Sequence, residues 1–358
     1  MNIAVLGAGN GGQTTAGHLA LMGHSVALYN RAHPVEDREI LRPLQERMSV
    51  QLEGVLSGTG RLNLVTNEIA EAVRDRDLII MTFPAVGHLP IAEALSPHLK
   101  SGQIVVVHPG QIGTAWRLSR AFENEKRGIS LVVTYSLLYA CRQITPGRVK
   151  VHAVKEHLLC SAYPGTSTPE ALTVLRQLFP QLTAAANVLE VEISNMNTVV
   201  HPAIVFSNLT AVDNGTSFEF YSDGVSRATA KLIKAIDRER MRIVEALGIK
   251  TLSAEEFLVE AYGLTRQPLE EMLKTNHAYQ GIPAPKSLDH RYVWEDVACG
   301  LVPLLALAEK MEIQVPLIRA VVTLFTTLLP MEPSSIRDES WLGISTLSRE
   351  ELIKLAHR

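Results

Sequence analysis

The amino-acid sequence predicts an α/β N-terminal half, built as a doubly wound parallel sheet, and an all-α C-terminal half. Three observations predict this. The chain opens with a strand, a glycine-rich loop, a helix and a second strand in immediate succession. Short apolar strands then alternate with helical segments as far as Val107, the pattern of parallel sheets covered by helices. Beyond Ser194 the apolar residues recur at helical spacing instead. The division is placed so that residues 1–185 form a dinucleotide-binding domain and 186–358 an α-helical domain.

The opening unit reads IAVLGAGNGGQTTAGHLALMGHSVALYNR. Ile3 to Leu6 is a buried strand, and Gly7, Gly9 and Gly12 follow in the G-x-G-x-x-G order. One glycine serves the tight turn, one lets the backbone approach a pyrophosphate, and one allows close helix–strand contact. Asn10 and Gly11 complete the loop assigned to the cofactor, and the free N–H groups of the helix face that pyrophosphate. Gly23 is placed to end the helix, and Ser25 to Tyr29 is the second strand. This is a Rossmann-type unit for a nicotinamide or flavin nucleotide. An acid at the end of the second strand would hold the ribose hydroxyls of NAD, whereas an arginine accommodates the 2′-phosphate of NADP. The chain has Asn30 and Arg31 there, with no acid before Glu36. NADP is therefore expected as the preferred cofactor, with Arg31 as phosphate clamp and NAD as the alternative; His33 is an ordinary loop residue or a helper.

Further along, Pro34 to Met48 reads as a polar helix, and Val50 to Val65 as short strands broken by Gly54, Gly58 and Gly60. Asn67 to Val73 is a helix, Asp77 to Phe83 a buried strand, His88 to Leu99 a helix and Gln103 to Val107 another strand. Ligands of such sheets bind outside the carboxyl ends of the strands, which places Pro84 and Pro109 where they can line the cofactor. The runs LVVTYSL, RVKVHAV and HLLCSAY suggest antiparallel edge strands, with Tyr139 to Arg142 between the first two. Glu170 to Phe179 is a helix, and Val188 to Ile193 the last strand or a hinge. In the second half, Val225, Leu232, Ile236, Ile243 and Leu247 share one helical stripe, with Arg238, Glu239, Arg240 and Arg242 off it and Gly248 as terminator. Leu301 to Met311 and Leu317 to Leu329 are apolar helices, and Ser348 with Glu351 has capping-box spacing.

Composition sets outer bounds. An apolar fraction of 46% in 358 residues is ample for two full-sized cores. A formal charge of −3 gives no reason to expect nucleic acid or an anionic membrane surface as partner. Cys141, Cys160 and Cys299 are an odd number without a C-x-x-C, so neither a disulfide framework nor a metal site is indicated. No charged and apolar leader precedes the first strand and no run is long enough for a membrane span, so a cytoplasmic protein is expected.

Two ionisable residues of the second half lie in apolar runs. His201 precedes Pro202 in NMNTVVHPAIVF, and Asp296 sits in HRYVWEDVACGLVP. Burial of either without a partner would be costly. Arg291 is either a carboxylate clamp or the surface end of a helix. The sequence does not place the three side by side.

The segments Asn195 to Pro202, Asn276 to Ile282, Arg291 to Asp296 and Gly300 to Pro303, together with the glycine loop, resemble the octopine/nopaline dehydrogenase family of opine dehydrogenases. The resemblance runs over nearly the whole chain and fades after about residue 330. It implies a Rossmann domain joined to an α-helical domain, and reductive condensation of an amino acid with a 2-oxo acid such as pyruvate or 2-oxoglutarate by NADH or NADPH. It implies that His201 is the catalytic histidine, that Asp296 orients it, and that Arg291 binds a substrate carboxylate. Tyr279, Asn197 and Arg142 are further substrate-binding candidates, and Lys286 and His290 alternatives to Arg142. Many members carry an acid where this chain has Asn30 and Arg31. A homodimer is compatible with the sequence. Histidine suits the chemistry, since its ordinary pKa of about 6.5 lets it move protons near neutrality. Competing readings are another two-domain NADP-dependent reductase, of a 2-hydroxy acid or sugar phosphate, and a non-catalytic NADP-sensing protein.

Overall fold

The protein is described from a computed structural model covering residues 1–31, 37–329 and 336–358. His33, Pro34 and Glu36 of the sequence argument lie outside the described residues. The chain divides into two compact units, one of residues 1–110 and 114–188, the other of residues 111–113 and 189–358.

In the first unit, the strands are β1 (Asn2–Leu6), β2 (Ser25–Tyr29), β3 (Ser49–Gly54), β4 (Gly58–Arg61), β5 (Leu64–Thr66), β6 (Leu78–Met81) and β7 (Ile104–Val107), followed by β8 (Ser130–Thr134), β9 (Tyr139–Thr145), β10 (Arg148–Val154), β11 (Leu158–Tyr163) and β12 (Leu182–Ala184). Among them lie α1 (Asn10–Leu21), α2 (Arg42–Arg47), α3 (Ile69–Val73), α4 (His88–Leu95), α5 (Thr114–Phe122), α6 (Asn124–Arg127) and α7 (Thr168–Leu175). Eight strands form one sheet in the order β12-β11-β8-β7-β6-β1-β2-β5, parallel throughout except where β11 runs against β8. Apart from the exposed Asn2, the strands β1, β6 and β7 are apolar and buried, as a sheet covered on both faces requires. The order reverses at β1, which has β2 on one side and β6 on the other. Such a reversal opens a crevice at the carboxyl ends, where ligands bind.

A second sheet, β4-β3-β10-β9, was only half legible. β10 pairs antiparallel with β9 but parallel with β3, and β11 lies between β8 and β12, so neither is an edge strand. Tyr139 to Arg142 belongs to a strand of its own, and α5 fills the stretch after Gly113.

The second unit contains α8 (Val188–Ile193, its first residue in the other unit), α9 (Asn197–Ser207), α10 (Leu209–Asp213), α11 (Arg227–Ala246), α12 (Ala254–Tyr262), α13 (Leu269–Thr275), α14 (Arg291–Asp296), α15 (Val302–Lys310), α16 (Pro316–Leu328), α17 (Glu339–Leu342) and α18 (Arg349–Ala356), and no strand among the described residues. The run Val188 to Ile193 is thus a helix, not a strand, its four apolar side chains buried. Helix α11 carries the predicted stripe, with Ile233 rather than the half-buried Leu232 at its centre. Arg240 and Glu239 are buried within it, against expectation. Arg240 is paired with Asp237 at 2.7 Å and bonds the Ile193 and Leu252 carbonyls. Glu239 accepts the Leu317 and Ile318 N–H groups that α16 leaves open at its start. The charge of each is satisfied locally, which is why the polarity of the sequence concealed their burial. Arg337 donates to the carbonyls of Gln111 and Ile112, and Glu192 accepts from Gly113, which anchors residues 111–113 in this unit. Ser348 and Glu351 form the expected capping box. Among the described residues no helix is long and apolar enough to cross a membrane.

Candidate active site

The nucleotide loop assigns a separate task to each glycine. Gly7 has φ +112°, a conformation that costs other residues strain. A Cβ on Gly12 would sit 1.7 Å from the Gly7 carbonyl oxygen, so only glycine lets α1 pack onto the turn. A Cβ on Gly9 would meet nothing within 4 Å, which leaves the loop open at that point for a ligand. A Cβ on Gly11 would be 2.9 Å from the Leu137 side chain, so Gly11 serves packing. Asn10 accepts a hydrogen bond from the Gln143 N–H at 2.8 Å, and Gln13 accepts from Gly147 N–H at 2.8 Å. These polar groups fasten the start of α1 to the second sheet.

Asn30 lies at the end of β2, where its Oδ1 accepts the Ala8 N–H at 3.1 Å. Its Nδ2 is buried without a hydrogen-bond partner, a donor of the kind a ligand oxygen satisfies. Arg31 is exposed beside it. The open Gly9, the orphaned Asn30 amide and the exposed Arg31 fit a nicotinamide dinucleotide. Pro84 precedes a single turn, Ala85–Gly87, after β6. Pro109 follows His108, whose Nδ1 bonds the Thr134 hydroxyl and whose Nε2 accepts the Leu138 N–H at 3.0 Å. Burial, reinforced by the positive charge of Lys155, pushes the His108 pKa down to about 3, so the ring is a neutral strut. Arg142 is exposed on β9, opposite Lys150.

The second unit holds a buried histidine whose two nitrogens are both engaged. His201 is the fifth residue of α9, one turn after Asn197. Its Nδ1 lies 2.7 Å from Asp296 Oδ2, and its Nε2 lies 2.8 Å from the Tyr221 hydroxyl. Because the carboxylate only accepts, Nδ1 carries the proton in the neutral ring, and Nε2 then accepts from the Tyr221 O–H. The imidazole stacks on Tyr292 at 3.9 Å between centroids and meets the edge of Phe220 at 5.7 Å. Tyr221 in turn stacks on Tyr279 at 4.1 Å, and Tyr279 meets Tyr262 edge-on.

Pro202, beside His201, lies inside α9 and lacks the N–H that would bond the Thr198 carbonyl. Gly300, in the π-helical turn Val297–Leu301 after Asp296, faces Thr198: a Cβ there would lie 2.5 Å from its Oγ1. Glycine at 300 therefore permits the close approach of α9 to the segment bearing Asp296.

Arg291 opens α14 with its side chain 44% exposed and its Nε 3.6 Å from Glu295 Oε2. Desolvation opposes its charge, but the Glu295 and Asp296 carboxylates outweigh that and hold its pKa above the ordinary arginine value. His290 caps the same helix, accepting from the Tyr292 N–H at 3.3 Å, and Lys286 is exposed. The structure thus gathers His201, Asp296, Arg291 and Tyr279 into one aromatic-lined cluster, with Asn197 on the same face of α9 as His201, while Arg142 belongs to the other unit. Tyr221 was not foreseen: FEFYSDG lies between helices and has no periodicity to draw attention to it. The three cysteines are buried free thiols, and desolvation pushes Cys160 and Cys299 up to about 12, far from nucleophilic.

Residues 184–329 match the family described as NAD/NADP octopine/nopaline dehydrogenase, alpha-helical domain, and residues 2–107 match NADP oxidoreductase coenzyme F420-dependent. An opine dehydrogenase from Arthrobacter sp. (strain 1C) is 34% identical over 328 residues, which are 91% of this chain and 90% of that one. The chain belongs to the opine dehydrogenase family. As a member it is an NAD(P)-dependent oxidoreductase acting on CH–NH donors, of the class that condenses an amino acid with a 2-oxo acid reductively. The fold agrees. Octopine dehydrogenase, solved with NADH and agmatine, superimposes with a TM-score of 0.81 at 21% identity, covering 99% of this chain and 98% of that one. Yersinopine dehydrogenase, solved with NADP+, gives 0.74 at 18% identity, covering 100% and 99%.

Proposed function

We propose that this opine dehydrogenase uses His201 as its general acid/base, Asp296 to orient it and Arg291 to bind a substrate carboxylate. The observation that carries this reading is the buried His201, held at Nδ1 by Asp296 and at Nε2 by the Tyr221 hydroxyl. A carboxylate on Nδ1 fixes the tautomer and favours the imidazolium once it forms. Neutral imidazole takes the proton that the substrate ammonium must lose before its nitrogen can attack the 2-oxo carbon. The imidazolium returns that proton to the hydroxyl of the resulting carbinolamine, which leaves as water and generates the iminium. The bound nicotinamide supplies the hydride. The ammonium nitrogen gives up two protons on its way to the iminium, and both leave in the water: one passes through histidine, and the other moves from nitrogen to the former carbonyl oxygen as the carbinolamine forms.

Residues 1–185 are the dinucleotide domain and 186–358 the substrate and catalytic domain in this reading. Gly7, Gly9, Gly12, Asn30 and Arg31 would hold the cofactor, with Pro84 and Pro109 at strand ends beside it. Arg31, with no acid preceding it on β2, favours NADPH over NADH. Arg291 is a planar fork on the helix that ends in Asp296, suited to bidentate carboxylate binding. Tyr279, stacked on Tyr221, and Asn197, one turn before His201 on α9, are the further substrate-binding candidates, and Arg142 is the candidate for a second carboxylate. The relatives solved with arginine or with pyruvate make an amino acid and a 2-oxo acid the substrates to try here. The test is a matrix of amino acids against pyruvate, 2-oxoglutarate and oxaloacetate, followed by NADPH absorbance. Amine-dependent oxidation of NADPH is expected; oxidation by a 2-oxo acid alone would support a hydroxy-acid reductase instead.

A further inference from the structure

We infer that Tyr221 is the outer member of a proton relay, so that the acid/base unit is Asp296–His201–Tyr221 and the phenol, not the imidazole, exchanges protons with the substrate. This rests on His201 being the acid/base group, and deepens it. His201 Nε2 is the only ring nitrogen left after Asp296 takes Nδ1, and it is bonded to the Tyr221 hydroxyl at 2.8 Å. The histidine is 3% exposed and lies under Tyr292 on one face, with the Phe220 ring edge-on to it. The bond from Nε2 to the Tyr221 hydroxyl gives its protons a hydrogen-bonded way out.

The alternative, that Tyr221 swings aside when substrate arrives, conflicts with how the ring is held. Its face is stacked on Tyr279 at 4.1 Å with only 15° between planes, and it meets Phe220 at 5.0 Å in a T-shaped contact. Swinging the phenol out would sacrifice both aromatic contacts, which stabilise beyond mere burial, and the bond to histidine. The hydroxyl chemistry also fits: one O–H to give and two lone pairs to receive let it pass a proton on without storing charge. Arg291 lies near enough to Tyr221 for the two to interact electrostatically, so a carboxylate held by Arg291 would lie beside the phenol. In the condensation, the ammonium gives a proton to the Tyr221 oxygen while Tyr221 gives its own to His201 Nε2. When the carbinolamine loses water the two transfers reverse, and the phenol and the imidazole end neutral.

The test uses the full-length enzyme and the fastest substrate pair from the matrix above. Tyr221→Phe keeps the ring and its stacking and removes only the hydroxyl. Melting temperature should fall only by the few degrees of one lost buried hydrogen bond, NADPH affinity should be unchanged and KM should move less than about threefold, while kcat falls about 10²-fold or more, the scale of general acid–base catalysis. The pH profile separates relay from packing. Wild-type condensation needs neutral imidazole, so its kcat falls on the acid side; the residual rate of Tyr221→Phe should no longer follow that limb. The titratable and charged groups of the cluster besides Tyr221 are Asp296, Tyr292, Tyr279, Glu295, Arg291 and His290, and all remain in the variant, so a limb that survives unchanged belongs to one of them or to a direct His201 contact and overturns the relay. Wild-type-like kcat with an intact acid limb overturns the relay. His201→Ala, assayed in parallel, separates the two readings: an inactive His201→Ala beside an active Tyr221→Phe rejects only the relay, whereas an active His201→Ala rejects the histidine itself. Should Tyr221→Phe fail to fold, a difluorotyrosine placed at position 221 keeps the hydrogen bond and alters the acidity of the phenol, and an unchanged kcat there also rejects the relay.

Discussion

Replacing Asp296 by asparagine removes one negative charge and almost no volume from a site where solvent does little screening. His201 and Asp296 are 2.7 Å apart with side chains 4% and 3% exposed. A hydrogen bond to a charged partner contributes about 1.5–3 kcal/mol, and about 1.4 kcal/mol corresponds to a tenfold rate. If the imidazolium forms during turnover, Asp296→Asn should therefore lower kcat by roughly 10- to 150-fold, and by more if the amide N–H turns the ring into the opposite tautomer. His201→Ala should cost about 10²–10⁴-fold. Adding Asp296→Asn to His201→Ala should cost almost nothing further in rate, because groups that act as one unit fail together. Stability should move the other way. His201→Ala leaves a buried carboxylate without its partner, a destabilising change, and Asp296→Asn in that background should recover melting temperature. The loss of the negative neighbour also makes the ring harder to protonate, so the acid limb of kcat should shift to lower pH in Asp296→Asn. Stopped-flow rates, melting curves and pH profiles of the four proteins measure all of this. Rate losses that add in free energy across the double mutant would refute the coupled pair.

Four further outcomes are expected. Arg31→Ala should raise KM for NADPH far more than for NADH, by the equivalent of about 1.5–3 kcal/mol; equal losses would remove Arg31 from phosphate recognition. Arg291→Lys should lose most activity with normal melting and NADPH binding, since lysine lacks the planar fork, and retained activity in both Arg291→Lys and Arg291→Ala would make the residue structural. Gly300→Ala places a methyl 2.5 Å from Thr198 Oγ1, so overpacking of about 1–3 kcal/mol should appear as a lower melting temperature together with lower kcat, and Thr198→Ala should rescue both; a rescue of stability alone would separate this contact from the His201–Asp296 geometry. His108, neutral in the fold down to about pH 3 but protonated near 6.5 when unfolded, makes the unfolded chain bind more protons between those values. Its contribution to stability is present above about pH 6.5 and declines as the pH falls toward 3, so the ring should show no NMR titration at pH 5 in the folded protein; a midpoint near 6.5 would contradict its burial.

What was legible in the sequence is what local geometry determines. The glycines at 7, 9 and 12 take the backbone geometry that their spacing predicted: a positive φ at Gly7, open space at Gly9 and close packing of Gly12 on the turn. Gly23 and Gly248 take positive φ just beyond α1 and α11, where the end of a periodic run called for a terminator. Of the two readings of Val188 to Ile193, the strand fails, because six apolar and acidic residues suit a buried helix as well and length alone could not decide, while the division between the two units does fall within the run. Strand β9 is obscure for a related reason: three of its seven residues are exposed, and it lies at the edge of a second sheet whose existence no local pattern announces.

The histidine site marks the other limit. His201 and Asp296 are 95 residues apart, and nothing in either apolar run names its partner; only resemblance joined them before the fold was known. Tyr221, a mere 20 residues from His201, was harder still, since it sits in an irregular segment where neither period 2 nor period 3.6 applies. Yet the physical demand was already present in the sequence. A histidine buried among apolar side chains has two ring nitrogens to satisfy, and a single carboxylate satisfies one. Accounting for the second nitrogen would have required a hydroxyl or carbonyl from elsewhere in the chain, and among the chemistries available at such a position a tyrosine is the one that can fill the apolar space and pass a proton as well. Burial and catalysis therefore ask for the same residue, and the phenol at 221 meets both requirements through one hydrogen bond.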